Sequence, residues 1–239
     1  MKLRASEFAV IVIIIVSFSI GAYFYPSLPE KVASHWNMKS EVDGYVDRFW
    51  GVFLMPIISI FLFILFLILP RIDPKHKNIE KFRNYLDLFI ITLFCFLLYI
   101  YVLTLAWNSG YVFDFGQLML PGLAVLFFVT GYLVAHAEPN WTIGIRTPWT
   151  LSSEKVWKKT HTLGGKLFKI ASVVMLIGIF FPLCAIWFVI VPLLAIAFFL
   201  VIYSYFEGKP CLRFELDNFR FHVSHHGQLS PPDRKPHFL

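Results

Sequence analysis

The sequence predicts an all-α, polytopic membrane protein with six transmembrane helices, a structured extracellular loop and a cytoplasmic amphipathic motif loop. Three observations carry this expectation. The 239 residues are 58% hydrophobic, above the roughly 45–50% apolar content of soluble domains. The apolar residues come in uncharged blocks of the length one span requires, about 20 residues. Lys and Arg crowd into alternate connections, which is how cytoplasmic loops are marked.

The elements follow in order. The first block, Phe8 to Tyr25, comes after the basic Lys2 and Arg4. Ser19-Ile20-Gly21 forms a small-x-small cleavage pattern, yet the apolar run outlasts a signal-peptide core and ends in tyrosines. It is therefore read as an uncleaved span. Phe49–Leu69, Leu86–Trp107 and Gln117–Ala135 are the next three. Residues 167–206 are apolar over about twice the length of one span. Pro182 divides them into a tight helical hairpin turning near Pro182–Ala185, with a kinked span plus a re-entrant piece as the alternative.

Orientation comes from the connections. Arg71, Lys75, Lys77, Lys81 and Arg83 follow the second span, and Arg146, Lys155, Lys158, Lys159, Lys166 and Lys169 follow the fourth. The opposite side holds Lys31, Lys39 and Arg48. This bias predicts a multi-pass cell-membrane protein with both termini in the cytoplasm. The net charge of +6 then suits anionic lipid and calls for no direct nucleic-acid contact. Cys95 and Cys184 fall in apolar blocks and Cys211 in the tail, so no disulfide or metal framework is implied.

The expected organisation is a two-helix module over 1–70 with a cap loop at 26–48, then a four-helix domain over 71–206 with a motif loop at 139–161. A mobile cytoplasmic tail over 207–239 completes it. The tail carries His222, His225, His226 and His237 with prolines at 231, 232 and 236, and is expected to be largely irregular.

Two loops are too patterned to be plain connections. In the outer one, "PSLPEKVASHWNMKSEVDGYVDR", Pro26 and Pro29 end the span and Asp43-Gly44 signals a turn. Glu30–Trp36 between them is expected to be a short surface helix. His35, Asp43 and Asp47 are the residue types that ligate zinc-like ions, although their spacing fits no established motif. The competing reading is a folded cap with Trp36, Tyr45 and Trp50 in the interfacial aromatic belt.

In the inner loop, "PNWTIGIRTPWTLSSEKVWKKTH", Pro139 ends the fourth span, and Gly144 and Pro148 hold Arg146 on an ordered turn. Thr150, Ser152 and Ser153 offer N-caps for a short helix near Ser153–Leu163. On it, Trp157 and His161 share a face with Val156 and Thr160. The expectation is a basic amphipathic segment lying at the interface, released by Gly164-Gly165 into the fifth span. Trp141, Trp149 and Trp157 are then interfacial anchors, and His161 a hydrogen-bonded packing residue. Arg146 either clamps the loop, on Glu138, Glu154 or helix-end carbonyls, or presents its planar fork to a partner.

Both loops together resemble the SdpI family of bacterial and archaeal membrane proteins. The outer loop is similar to the N-terminal module of unknown function common in that family, through Leu28-Pro29, His35-Trp36-Asn37 and Asp43-Gly44-Tyr45. The inner loop is similar to the family signature through Asn140, Gly144, Arg146, Thr147, Pro148, Trp149, Thr150, Trp157, Thr160 and His161. The resemblance covers nearly residues 8–205 and implies toxin immunity or signal transduction, not an enzyme. It implies a secreted peptide toxin outside, a small regulator protein inside and membrane lipid as partners, with no cofactor and no catalytic residue. The alternatives are a membrane enzyme acting on lipid or peptide, which lacks a recognisable nucleophile, and a small-molecule transporter. A transporter would be expected to carry ionisable residues at its span centres, and none stands there.

Overall fold

A computed structural model describes residues 4–226, with side chains up to Lys209. Eight helices occur in it: α1 (Ala5–Phe24), α2 (Arg48–Ile72), α3 (His76–Lys81), α4 (Arg83–Asn108), α5 (Phe115–His136), α6 (Pro148–Ser152), α7 (Glu154–Ile177) and α8 (Trp187–His226). Six segments are long and apolar enough to cross a membrane. The 167–206 block does divide, at short 3-10 turns over Gly178–Phe180 and Pro182–Cys184.

The helices bury narrow stripes and leave the rest of their apolar surface outward. On α1 the buried residues are Ser6 and Glu7 and then Val10, Ile14, Ser17 and Gly21, so that from Glu7 on the spacing is three, four, three and four, while Phe8, Val12, Ile15 and Tyr23 are exposed. This is the pattern expected where lipid is the solvent and small residues set helix contacts. The closest helix pair follows the same rule. Gly131 and Ala135 on α5 face Gly165 on α7, and a Cβ on Gly165 would lie 2.6 Å from both the Gly131 carbonyl and the Ala135 methyl, while Gly164 admits the Ile145 side chain.

That contact corrects the expected break at Gly164-Gly165. α7 runs unbroken through both glycines, because a helix-interior Gly costs only about 1 kcal/mol and here admits the backbone of α5. The fifth span therefore begins at the motif itself, with Ser153 as its N-cap. The expected short helix near Ser153–Leu163 is thus the first part of the span and not a separate amphipathic segment. At the other end of the chain, α8 continues to His226, past the expected boundary at Phe206. The prolines at 231, 232 and 236, and the side chains of His222, His225, His226 and His237, lie outside the described residues.

The outer loop is a second correction. Lys31–Trp36 and Val42–Asp47 form an antiparallel hairpin, β1 and β2, where a helix was expected. Pairing decides a segment this short, since its helix propensity is weak and β-branched Val32 fits a pleat. The turn lies at Asn37–Glu41 and not at Asp43-Gly44. Asn37 closes it, its side-chain oxygen accepting from Lys39 N–H at 2.8 Å and Glu41 N–H at 3.1 Å. Gly44 sits inside β2 opposite His35, where a Cβ would come within 2.9 Å of the His35 Cβ.

The hairpin is fastened to the bundle. Asn108 at the end of α4 accepts from Ala33 N–H at 2.7 Å and donates to Ala33 C=O at 3.0 Å, occupying one strand residue on both sides. Trp36 stacks on Phe115 with ring centres 4.0 Å apart. Ser40 donates to Asp114 at 2.6 Å. At the opposite end an ion-pair network ties α1 to the α2–α4 region: Arg4 to Glu80 at 2.7 Å, Arg83 to Asp87 at 2.7 Å, and Arg71 to Glu7 at 3.6 Å. The motif loop lies at this end, since Asn78 on α3 donates to Pro139 C=O at 2.8 Å.

Candidate functional site

The motif loop is built from side chains that satisfy backbone. Asn140, 2% exposed, fills all its capacity. Its oxygen accepts from Thr142 and Ile143 N–H at 2.8 and 2.6 Å, and its amide donates to the Glu138 and Ile143 carbonyls at 2.8 and 2.9 Å. From below, the buried Asp73 just after α2 holds the same turn. One carboxylate oxygen accepts from Lys75 N–H at 2.7 Å, and the other from Trp141 N–H at 3.0 Å and from the Thr142 hydroxyl.

Gly144 follows with φ +118°, and a side chain there would also strike the His161 ring. Both facts require glycine. The next N–H, of Ile145, donates to His161 Nε2 at 2.9 Å. Nε2 must then be the acceptor, so Nδ1 carries the proton and donates to the Trp157 carbonyl at 2.8 Å. With both ring nitrogens engaged in holding backbone, His161 has the packing role expected of it. Trp157 stacks on that ring at 3.9 Å and donates to Ala137 C=O at 2.7 Å.

Val156, Trp157, Thr160 and His161 do share one face, but it points inward: all four are at most 1% exposed. The interfacial placement of Trp157 is thereby corrected. A Trp–His stack that caps a carbonyl and an amide belongs in the interior, where unpaired backbone is costly. Trp141 remains 53% exposed, and Trp149 packs edge-on to Tyr205 of α8 at 5.1 Å.

Thr147 and Thr150 complete the loop as a reciprocal capping pair: Thr147 N–H donates to Thr150 Oγ1 at 2.9 Å, and Thr150 N–H to Thr147 Oγ1 at 3.2 Å. Pro148 occupies the first turn, where its missing N–H is harmless. Thr147 also shares a hydrogen bond of 3.0 Å with the buried Ser204 of α8. The loop thus joins the α2–α3 turn, α7 and α8. Arg146 is the exception, an exposed guanidinium that donates to the Trp141 carbonyl. Among the described residues no carboxylate pairs with it, neither Glu138 nor Glu154.

The second candidate region is at the hairpin end. A cleft of about 650 Å³ opens between the hairpin, α2, α4, α5 and the start of α8. His35 and Asp43 meet at its rim, Nδ1 to Oδ1, at 2.5 Å. Asp47 shares the outward face of β2 with Asp43 but stands four residues along, about 13 Å away at strand spacing. The three sequence candidates therefore do not converge, and no trio of His, Cys, Asp or Glu suited to a metal occurs among the described residues. Tyr45 is 60% exposed on the same face.

Sequence reading missed Asp73, Asn78, Asn108 and Ser204. The first three are single polar residues at or near a helix end whose partner is backbone or hydroxyl far along the chain, and Ser204, inside α8, meets the Thr147 hydroxyl. Asp73-Pro74, a lone acid closing an apolar block, was the clearest available signal.

Comparison with known proteins agrees with both loops. Residues 136–204 match the SdpI/YfhL protein family, and residues 12–60 match a domain of unknown function, DUF1648. The first segment holds the motif loop, α6 and α7, and the second holds the hairpin. The immunity protein SdpI of Bacillus subtilis (strain 168) is 25% identical over 200 residues, covering 82% of this chain and 94% of that protein. No solved structure matches the chain.

Proposed function

We propose, from the premise that this chain is an SdpI-family membrane protein, that it acts in immunity or sensing. In this reading it receives a peptide or toxin at the hairpin end, outside the cell, and presents the motif loop to a regulator in the cytoplasm. The observation that carries the reading is the near end-to-end similarity to a protein named for immunity, which leaves neither loop unmatched. Two physical features support it. The hairpin is an ordered surface tied to α4 and α5, and at the other end Arg146 leaves most of its donors outward on a loop whose turn is held by Asn140, Asp73 and the Thr147–Thr150 pair.

The test uses a B. subtilis strain deleted for its own immunity protein and challenged by the toxin-producing parent. This chain, and a chimera carrying the relative's sequence over 26–48, are expressed in it. Survival with either supports the immunity reading, and survival with the chimera alone places ligand choice in the hairpin. If both reach the membrane at the relative's level and neither protects, the reading is wrong.

A further inference from the structure

We propose that the cleft beneath the hairpin receives a peptide segment that carries bulky apolar side chains and a cationic group. This rests on the immunity reading and assigns the ligand's chemistry and seat. The floor is apolar: Met55, Ile100, Met119, Leu120, Ile186 and Val189. The rim is polar and belongs to the hairpin, with His35, Asn37, Ser40 and Asp43. A volume near 650 Å³ falls in the range of sites that enclose a ligand.

Three features select the occupant. The first is charge. Asp43 and His35 are the ionisable groups lining the cleft, and among the described residues no Lys or Arg lines it. Their combined charge is zero or negative in either protonation state of His35. Asp43 gives one oxygen to His35 and keeps a side chain 45% exposed, so an ammonium or guanidinium is favoured and a phosphate is not.

The second feature is depth. Ile100 and Thr104 on α4, Gly116, Met119 and Leu120 on α5, and Ile186 and Val189 at the entry to α8 each contribute about one turn of wall, roughly 5–6 Å. A lipid tail occupies about half of a ~30 Å hydrocarbon core, so it would overrun this cup, whereas one or two bulky side chains fill it. The third is adaptability. Three of the chain's five methionines, Met38, Met55 and Met119, line the cleft. Such thioether surfaces repack around apolar side chains of different shape.

The experiment selects a random nonapeptide display library on the full chain in nanodiscs and measures the enriched peptides against variants. Enriched peptides are expected to pair an aromatic or long aliphatic residue with Lys or Arg. Asp43→Asn, at an exposed position, should weaken them roughly two- to tenfold. Ile186→Trp, which fills the cup, should weaken them about tenfold or more. Gel filtration confirms that both variants stay folded. Acidic peptides, equal binding to both variants, equal competition by dodecyl phosphocholine, or no enrichment would each overturn the proposal. If that happens while the chain still protects the deletion strain, the cleft assignment falls and the immunity reading stands. If selective peptides bind but the chain does not protect, the cleft assignment stands and the immunity reading falls.

Discussion

Replacing Asp73 by Ala should loosen the motif loop without unfolding the bundle. The carboxylate is 3% exposed and accepts from Lys75 N–H, Trp141 N–H and the Thr142 hydroxyl. A hydrogen bond to a charged acceptor contributes about 1.5–3 kcal/mol. Trp141 lies at an exposed position where water replaces part of the loss, whereas Lys75 and Thr142 are half-buried. The expected cost is about 2–4 kcal/mol, near the value of one to two such bonds. It is local, because the side chain's hydrogen bonds go to the α2–α3 turn and the motif loop. At 1.4 kcal/mol per tenfold, opening of the loop should rise roughly 30- to 1,000-fold. Hydrogen–deuterium exchange in nanodiscs reads this directly. Protection of peptides covering 140–146 should fall, while peptides from the middle of α4 stay as in the wild type. Unchanged exchange over 140–146 would refute the assignment of Asp73 as the anchor. Equal loss in α4 would refute its locality.

Other consequences are open to simpler assays. Gly165→Ala places a methyl against the Gly131 carbonyl and the Ala135 methyl, so it should lower the midpoint of unfolding in mixed detergent by about 1–3 kcal/mol. Gly110→Ala, at φ +98° but with nothing within 4 Å, should cost only about 1–2 kcal/mol, and the reverse order would contradict the close helix contact. Arg146→Lys keeps the charge and loses the planar fork. With no carboxylate partner to break, thermal stability should stay near wild type while protection of the deletion strain is lost, and a parallel fall in both would make Arg146 a clamp. With the native cysteines replaced, Lys39→Cys should react with an impermeant maleimide in intact cells and Lys158→Cys only after lysis. The opposite result would invert the proposed orientation.

Much of this architecture was legible because lipid imposes a coarse rule, a span's length of apolar residues. The six spans and the turn around Pro182 follow from that rule. The hairpin did not, since Lys31–Trp36 becomes a strand through β2 and through Asn108, a residue 75 positions from Ala33. The motif residues could be picked out, and even the shared face of Trp157 and His161 was visible in their spacing. The direction of that face was not. In a soluble helix the polar side points to water, whereas here a Trp and a His turn inward because Ala137 C=O and Ile145 N–H need partners. Gly164-Gly165 was misread for a related reason, as local sequence signals flexibility and the opposing Gly131 and Ala135 convert it into contact.

The touching backbones of α5 and α7 have a mechanical consequence. Two helices separated by long side chains can slide, because rotamers adjust between them. Here the Ala135 methyl and the Gly131 carbonyl sit against Gly165 with nothing compressible in between. Shifting either helix along its axis by a residue or two would bring a full side chain into that seat. The pair therefore moves as one beam or not at all. The beam reaches both ends of the molecule: α7 starts in the motif loop, and at its far end Gln117 of α5 donates to the Ile179 carbonyl at 2.8 Å, beside the cleft. Any displacement passed between the two faces through these helices has to be a tilt or rotation of the whole beam, with α8 and the α1–α2–α4 group shifting around it.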